Sequence, residues 1–93
     1  MNDSAAIHAI AQGRVQGGNY RAFVSRNAVR FSLTGYVRNL PDNSVEIVAE
    51  GDRTQLEKLI EYLKQGPPGA RVDDLAVAWS GYIGQYSDFT VRR

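Results

Sequence analysis

Two apolar stripes at helical spacing, Tyr20-Val24-Ala28-Phe31 and Leu56-Leu59-Ile60-Leu63, are set between stretches that alternate with a period of two. A chain patterned in this way has to lay two amphipathic helices against the apolar face of a sheet. The second stripe falls at i, i+3, i+4 and i+7, and both of its ends are marked. Asp52 with Gln55 fits a capping box at the start, and Gly66 followed by Pro67-Pro68 prevents continuation at the end. The first helix is expected from about Arg21 to about Ser32.

The strands follow from the alternation. From Ile7 to Gly13, Ile7, Ala9 and Ala11 make one apolar face, with His8, Ile10 and Gln12 on the other. Gly35 through Leu40 predicts a second strand, and Val45, Ile47 and Ala49 supply the inner face of a third, opposite Glu46, Val48 and Glu50. Between them, Pro41-Asp42-Asn43-Ser44 is turn chemistry, with Asn43 suited to a left-handed conformation, so the pair reads as a hairpin. A fourth strand is expected from near Arg71, with Val77 and Trp79 alternating with Ala76 and Ala78. Gly81 to Ser87 then links it to a last strand, Phe89-Thr90-Val91-Arg92. The order reads as β-α-β-β-α-β. This is an α+β, ferredoxin-like split βαβ sandwich, an antiparallel sheet with two helices on one face, forming one domain over residues 1–93. Fold alone does not give function, because this architecture hosts enzymes, metal chaperones, regulatory domains and RNA-binding modules.

Composition narrows the chemistry. The 93 residues include no cysteine and one histidine, which removes disulfides, thiolate metal sites, cysteine nucleophiles and a histidine triad. His8 is expected to be a structural strand residue. Eleven basic and ten acidic residues give a net charge of +1, without the basic excess of an electrostatic nucleic-acid binder. No apolar run approaches the ~18 residues of a spanning helix. The expectation is a cytoplasmic monomer with no cofactor, no metal, no nucleic-acid partner and no membrane partner.

The most informative segment lies between the first strand and the first helix, Gly13-Arg14-Val15-Gln16-Gly17-Gly18-Asn19-Tyr20-Arg21. Adjacent glycines let successive N–H groups converge on one point, and a helix N-terminus adds further donors with partial positive charge. Arg21 would stand in the first helical turn, where its guanidinium fork can grip the same anion. The segment is neither a Walker loop nor a G-x-G dinucleotide loop. On physical grounds a phosphate site and a turn that merely needs glycine both remain open.

The segment resembles the acylphosphatase signature G-R-V-Q-G-V-x-F-R. A second block, GYVRNLPDNSVEIVAEG from Gly35 to Gly51, is similar to the family's G-[WY]-V-x-N-x-x-D-G-x-V-E-x-x-x-x-G, and the likeness extends through Gln65-Gly66-Pro67-Pro68 to the closing strands. The resemblance implies hydrolysis of acyl phosphates. The phosphate would be held by Gln16, Gly17, Gly18, Asn19, Tyr20 and Arg21, and Asn39 would orient the attacking water. Small-molecule acyl phosphates and inorganic phosphate are the implied partners. The leaving carboxylate of such a substrate has a conjugate acid with pKa of about 4 to 5, so a chain poor in general acids is suited to it. The bland readings are a solvated Arg21, an Asn39 that merely ends a strand, and Trp79, Tyr62 and Phe89 as core or sheet-surface residues.

Two departures from the signature stand inside the loop, Gly18 for valine and Tyr20 for phenylalanine, and Asn43 replaces the hairpin glycine. If the backbone at Gly18 were accessible to valine, the glycine would add freedom that binding has to freeze, and Gly18→Val would tighten phosphate binding. Two other readings stay open, a non-catalytic phosphate or acyl-phosphate sensor and an RNA-binding module. The second calls for aromatic and basic residues on the exposed central strands, where the third strand offers Glu46, Val48 and Glu50.

Overall fold

The computed structural model describes residues 3–93. The first strand, β1 (Ser4–Arg14), runs through the middle of the sheet and pairs antiparallel on both sides, with β3 (Val45–Asp52) and with β4 (Arg71–Gly81). Pairing on two sides extends it beyond the expected Ile7–Gly13. β2 (Thr34–Asn39) pairs antiparallel with β3, and the last strand, β5 (Phe89–Arg92), lies parallel to β2 on its outer side. The sheet order is β4-β1-β3-β2-β5. The expected antiparallel arrangement is therefore present, and β5 extends it by one parallel pair into a mixed sheet. A parallel pair is not visible in strand alternation, because it depends on where the chain goes after β4.

The helices α1 (Tyr20–Arg30) and α2 (Arg53–Gln65) share one core with the inner face of the sheet, α1 lying mainly over β2 and β5 and α2 over β1, β3 and β4. Ile7, Ala9 and Ala11 of β1, Val37 of β2, Ile47 and Ala49 of β3 and Phe89 of β5 are buried against Val24, Ala28, Leu56, Leu59 and Leu63. Both predicted stripes are the buried ones, so the helices cover one face of the sheet. The small inner residues of β1 let the helices approach closely over the sheet centre. Helix α1 ends slightly before the expected Ser32. The N–H groups of Phe31 and Ser32 donate to Asn27 and Val29, and Ser32 takes a left-handed φ of 59°.

The hairpin forms as expected, with Asn43 at φ 73° and Leu40 N–H donating to the Ser44 carbonyl at 2.8 Å. Buried Ser44 donates both its N–H and its hydroxyl to Asp42, whose carboxyl these bonds hold below its usual range. At the start of α2 the Asp52 carboxylate accepts from the Gln55 N–H at 3.2 Å. That is half of a capping box. Tyr62 packs between Phe23 and Phe31, and half-exposed Trp79 lies under the Arg53 guanidinium, so the expected structural roles of these aromatics hold.

Tyr20 joins the two helices. Its hydroxyl donates to the Leu63 carbonyl at 2.8 Å, and burial pushes the phenol pKa well above its ordinary value. Within a helix the Leu63 carbonyl would accept from the residue four positions on, which here is Pro67 and has no N–H. Tyr20 supplies the missing donor. Tyr20→Phe should therefore lower the free energy of unfolding by about 1–3 kcal/mol in urea denaturation, the cost of one buried carbonyl left without a partner. A loss below about 0.3 kcal/mol would show that the carbonyl finds another donor.

Candidate active site

Strands β1, β2 and β5 point the same way, so their carboxyl ends share one end of the sheet. The chain leaves β1 there, is anchored by the buried Val15 side chain, and turns through residues 16–19 into α1. Gly17 and Asn19 both adopt left-handed conformations, with φ of 88° and 63°. Left-handed residues alternating with right-handed ones curl a backbone, the conformation in which successive N–H groups can form an anion-binding nest. The N–H of Phe23 donates to the Asn19 carbonyl at 3.0 Å, whereas the N–H groups of Gln16 through Ala22 have no acceptor among the described residues. The Asn19 side chain makes no capping bond either, and the first turn of α1 holds no acid. The result is a run of unsatisfied donors at the positive end of a helix.

Arg21 is the second residue of α1, and its Nη1 donates to the Arg92 carbonyl at 3.2 Å. A cation in the first turn opposes the helix dipole, so the arrangement calls for an anion. Arg92 lies opposite Arg38 in the sheet register, and Asn39 follows as the last residue of β2. The Oδ1 atom of Asn39 is buried and has no hydrogen-bond partner among the described residues. Such an acceptor is rare in a folded protein and costs free energy unless a donor is supplied from outside the chain. The loop reaches the same place from its other side. Gln16 Nε2 donates to the carbonyls of Leu40 and Ser44, at 2.8 Å each, on either side of the hairpin turn.

The structure thus gathers Gln16 to Arg21 and Asn39 at one end of the sheet. Within that group the Gln16 side chain fastens the loop, and its backbone N–H has no acceptor among the described residues. A cavity of about 340 Å³ opens on the loop, walled by Gly17, Asn19 and Arg21 on one side and by Val91 and Arg93 on the other. Sequence reasoning missed the fastening by Gln16 and the contributions of Arg92, Val91 and Arg93. Nothing local signals that β5 ends beside α1.

The open face of the sheet carries a separate charge cluster. Glu46 accepts from Arg38 Nε at 2.6 Å and from the Tyr36 hydroxyl at 3.2 Å, and His8 Nε2 lies 2.7 Å from it. Partial burial pushes its carboxyl up, but these hydrogen bonds prevail and hold it below its usual value. Burial and the neighbouring Glu46 charge raise the Tyr36 phenol, and the bond to Glu46 raises Arg38. His8 is thereby a strand residue with a structural partner. Among the described residues no group of three His, Cys, Asp or Glu side chains could hold a metal, and no helix is long and apolar enough to cross a membrane.

A model of the acylphosphatase family matches residues 7–91. The chain belongs to that family. It is 46% identical over 87 residues to an acylphosphatase of Methylococcus capsulatus, a match covering 94% of this chain and 95% of that one. With an acylphosphatase of Thermus thermophilus it shares 49% identity over 76 residues, covering 82% and 86%. The crystal structure of acylphosphatase from Bacillus subtilis superposes with a TM-score of 0.92 at 35% identity, covering 96% of this chain and 99% of that one. The chain is accordingly an enzyme of the acylphosphatase type.

Against the family signature, Gly18 has a structural reason that reverses the expectation for its replacement. Its φ is not left-handed, so backbone conformation does not demand glycine. Contact does. A Cβ at position 18 would stand 2.5 Å from the Gly69 carbonyl oxygen, because the turn after α2 packs directly on the loop between β1 and α1. Gly18→Val should force the two backbones apart and weaken inorganic phosphate binding by about tenfold or more, read by calorimetry, in place of tightening it. Equal or tighter binding would show that the Gly69 turn yields freely.

Proposed function

We propose that this chain hydrolyses the carboxyl-phosphate anhydride of acyl phosphates to a carboxylate and inorganic phosphate. The observation that carries the reading is the run of N–H groups from Gln16 to Ala22 left without an acceptor among the described residues, on the loop that leads into α1 at Arg21. Three phosphoryl oxygens carry the charge of the substrate and of its loose transition state, and convergent amides with one arginine are the complement of that charge. Arg21 would exchange the Arg92 carbonyl for a phosphoryl oxygen, a stronger, charge-assisted partner.

The orphan Asn39 Oδ1 supports the second role. A water that donates to this oxygen is fixed in orientation, and its lone pair is directed to phosphorus for in-line attack. The new P–O bond forms as the bond to the acyl oxygen breaks. The electron pair leaves on the carboxylate and the water's proton passes to the phosphate product. The leaving group is a weak enough base to depart unprotonated, so no general acid is needed. Nor does the step call for a metal, since the amides and Arg21 supply the countercharge. The reading includes a monomeric cytoplasmic enzyme acting on small molecules.

Hydrolysis of benzoyl phosphate followed by ultraviolet absorbance tests these roles. The wild type should turn over with or without a chelator at the same rate. Arg21→Ala should lose phosphate binding and lower kcat/KM by about 10³-fold or more. Asn39→Ala should keep phosphate binding and lower kcat by about 10²-fold. Wild-type turnover at the rate of buffer alone, with phosphate still bound, would favour the non-catalytic sensor and end the enzymatic reading.

A further inference from the structure

The turn from α2 into β4 bears on the loop between β1 and α1 through a whole peptide group. A Cβ on Gly18 would stand 2.5 Å from the Gly69 carbonyl oxygen, 2.9 Å from the Gly69 carbonyl carbon and 3.4 Å from the Ala70 nitrogen. The Gly69–Ala70 peptide therefore lies flat against Gly18. The same end of α2 also holds the far side of the loop, where the Tyr20 hydroxyl donates to the Leu63 carbonyl.

The two segments differ in stiffness. Pro67 and Pro68 have φ fixed by their rings, and Pro68 takes the second position of a turn closed by the Ala70 N–H, which donates to the Pro67 carbonyl at 3.0 Å. On one side this turn is tied to α2, since the Gly66 N–H donates to the Tyr62 carbonyl at 2.8 Å. On the other it enters β4, whose pairing with β1 shifts register so that Gln12 faces Asp74 and Gly13 faces Val72. Asp73 is left as the extra residue of a bulge, which bends the start of the strand. The loop lacks such backbone ties, because its N–H groups from Gln16 to Ala22 have no acceptor among the described residues. Where a stiff segment presses on a soft one, the stiff one sets the position of both.

We propose that Pro68 is a positioning residue for phosphate binding, acting through the Gly69–Ala70 peptide that braces the loop at Gly18. It touches no substrate. By holding that peptide in place it reduces the freedom the loop has to lose when its amides close on an anion. The proposal rests on the hydrolytic reading above and adds to it a residue 47 positions from the nearest loop glycine contact's own start at Arg21.

Four proteins test it: the wild type, Pro68→Ala, Gly18→Ala and the double variant. Inorganic phosphate binding is read by calorimetry, and KM and kcat with benzoyl phosphate. Pro68→Ala should raise the phosphate Kd and KM by about two- to fivefold, the scale of the freedom one proline removes, and leave kcat unchanged. Gly18→Ala should weaken phosphate binding by about tenfold, since the stiff turn does not move aside. In the Pro68→Ala background the same substitution should cost about threefold or less, because the softened turn yields to the methyl group. Independent, multiplying losses in the double variant, or a Pro68→Ala protein with the wild-type Kd, would overturn the brace and leave hydrolysis intact. A wild type that neither binds phosphate nor hydrolyses benzoyl phosphate would overturn the hydrolytic reading and the brace with it.

Discussion

The bridge from the Gln16 side chain to the carbonyls of Leu40 and Ser44 holds the site together. An anion-binding loop has an inherent mechanical difficulty, because the N–H groups it offers to a ligand are those that would otherwise tie it to the rest of the protein. The segment from Gln16 to Ala22 leaves its donors uncommitted and so has to be held by other means. Val15 anchors the chain just before it by burial, Gln16 fastens its first residue to the β2–β3 hairpin, and the Gly69 backbone packs against Gly18. Gln16 also sets the loop beside Asn39, since Leu40 is the next residue. A single carboxamide thus supports the loop and aligns it with the orphan oxygen.

Arg21 depends on a longer chain of causes. Its partner, the Arg92 carbonyl, belongs to a four-residue edge strand that pairs only with β2. To reach that edge the chain crosses the far end of the sheet after β4, and Glu50 secures the crossing. This carboxylate is buried and accepts the N–H groups of Ile83 and Gln85, at 3.1 and 3.0 Å. A buried carboxylate is costly unless such donors satisfy it, and here its partners are backbone groups of an otherwise exposed link. The far end of the sheet therefore contributes to where β5, and with it the Arg21 partner, can stand.

Much of the fold is legible in the chain because its signals are local. The stripe from Leu56 to Leu63, the Asp52 cap, the stop at Gly66 and the Asn43 turn each depend on neighbours within a few residues. The two glycines before Arg21 are equally local, though on their own they leave an anion site and a plain turn both open. Asn39 is different. In isolation it is a strand-end residue, and only its buried, partnerless oxygen gives physical content to the role that family resemblance implied for it. Gly18 is the instructive failure. Read along the chain it is a source of freedom, and in three dimensions it stands where a Cβ would press on the Gly69 carbonyl unless one of the two backbones shifted.

The sequence by itself determined the order of elements, which faces are apolar, and that a glycine-rich turn leads into a helix begun by a cation. These depend on periodicity and backbone conformation, which act over a few residues. The tertiary structure decided what surrounds that turn. The parallel placement of β5, the partners of Gln16, the donor that Tyr20 gives to Leu63 and the wall formed by Val91 and Arg93 join residues far apart in the chain. Such contacts exist only once the core has set the helices on the sheet, since packing brings these distant residues within hydrogen-bonding or van der Waals reach of one another.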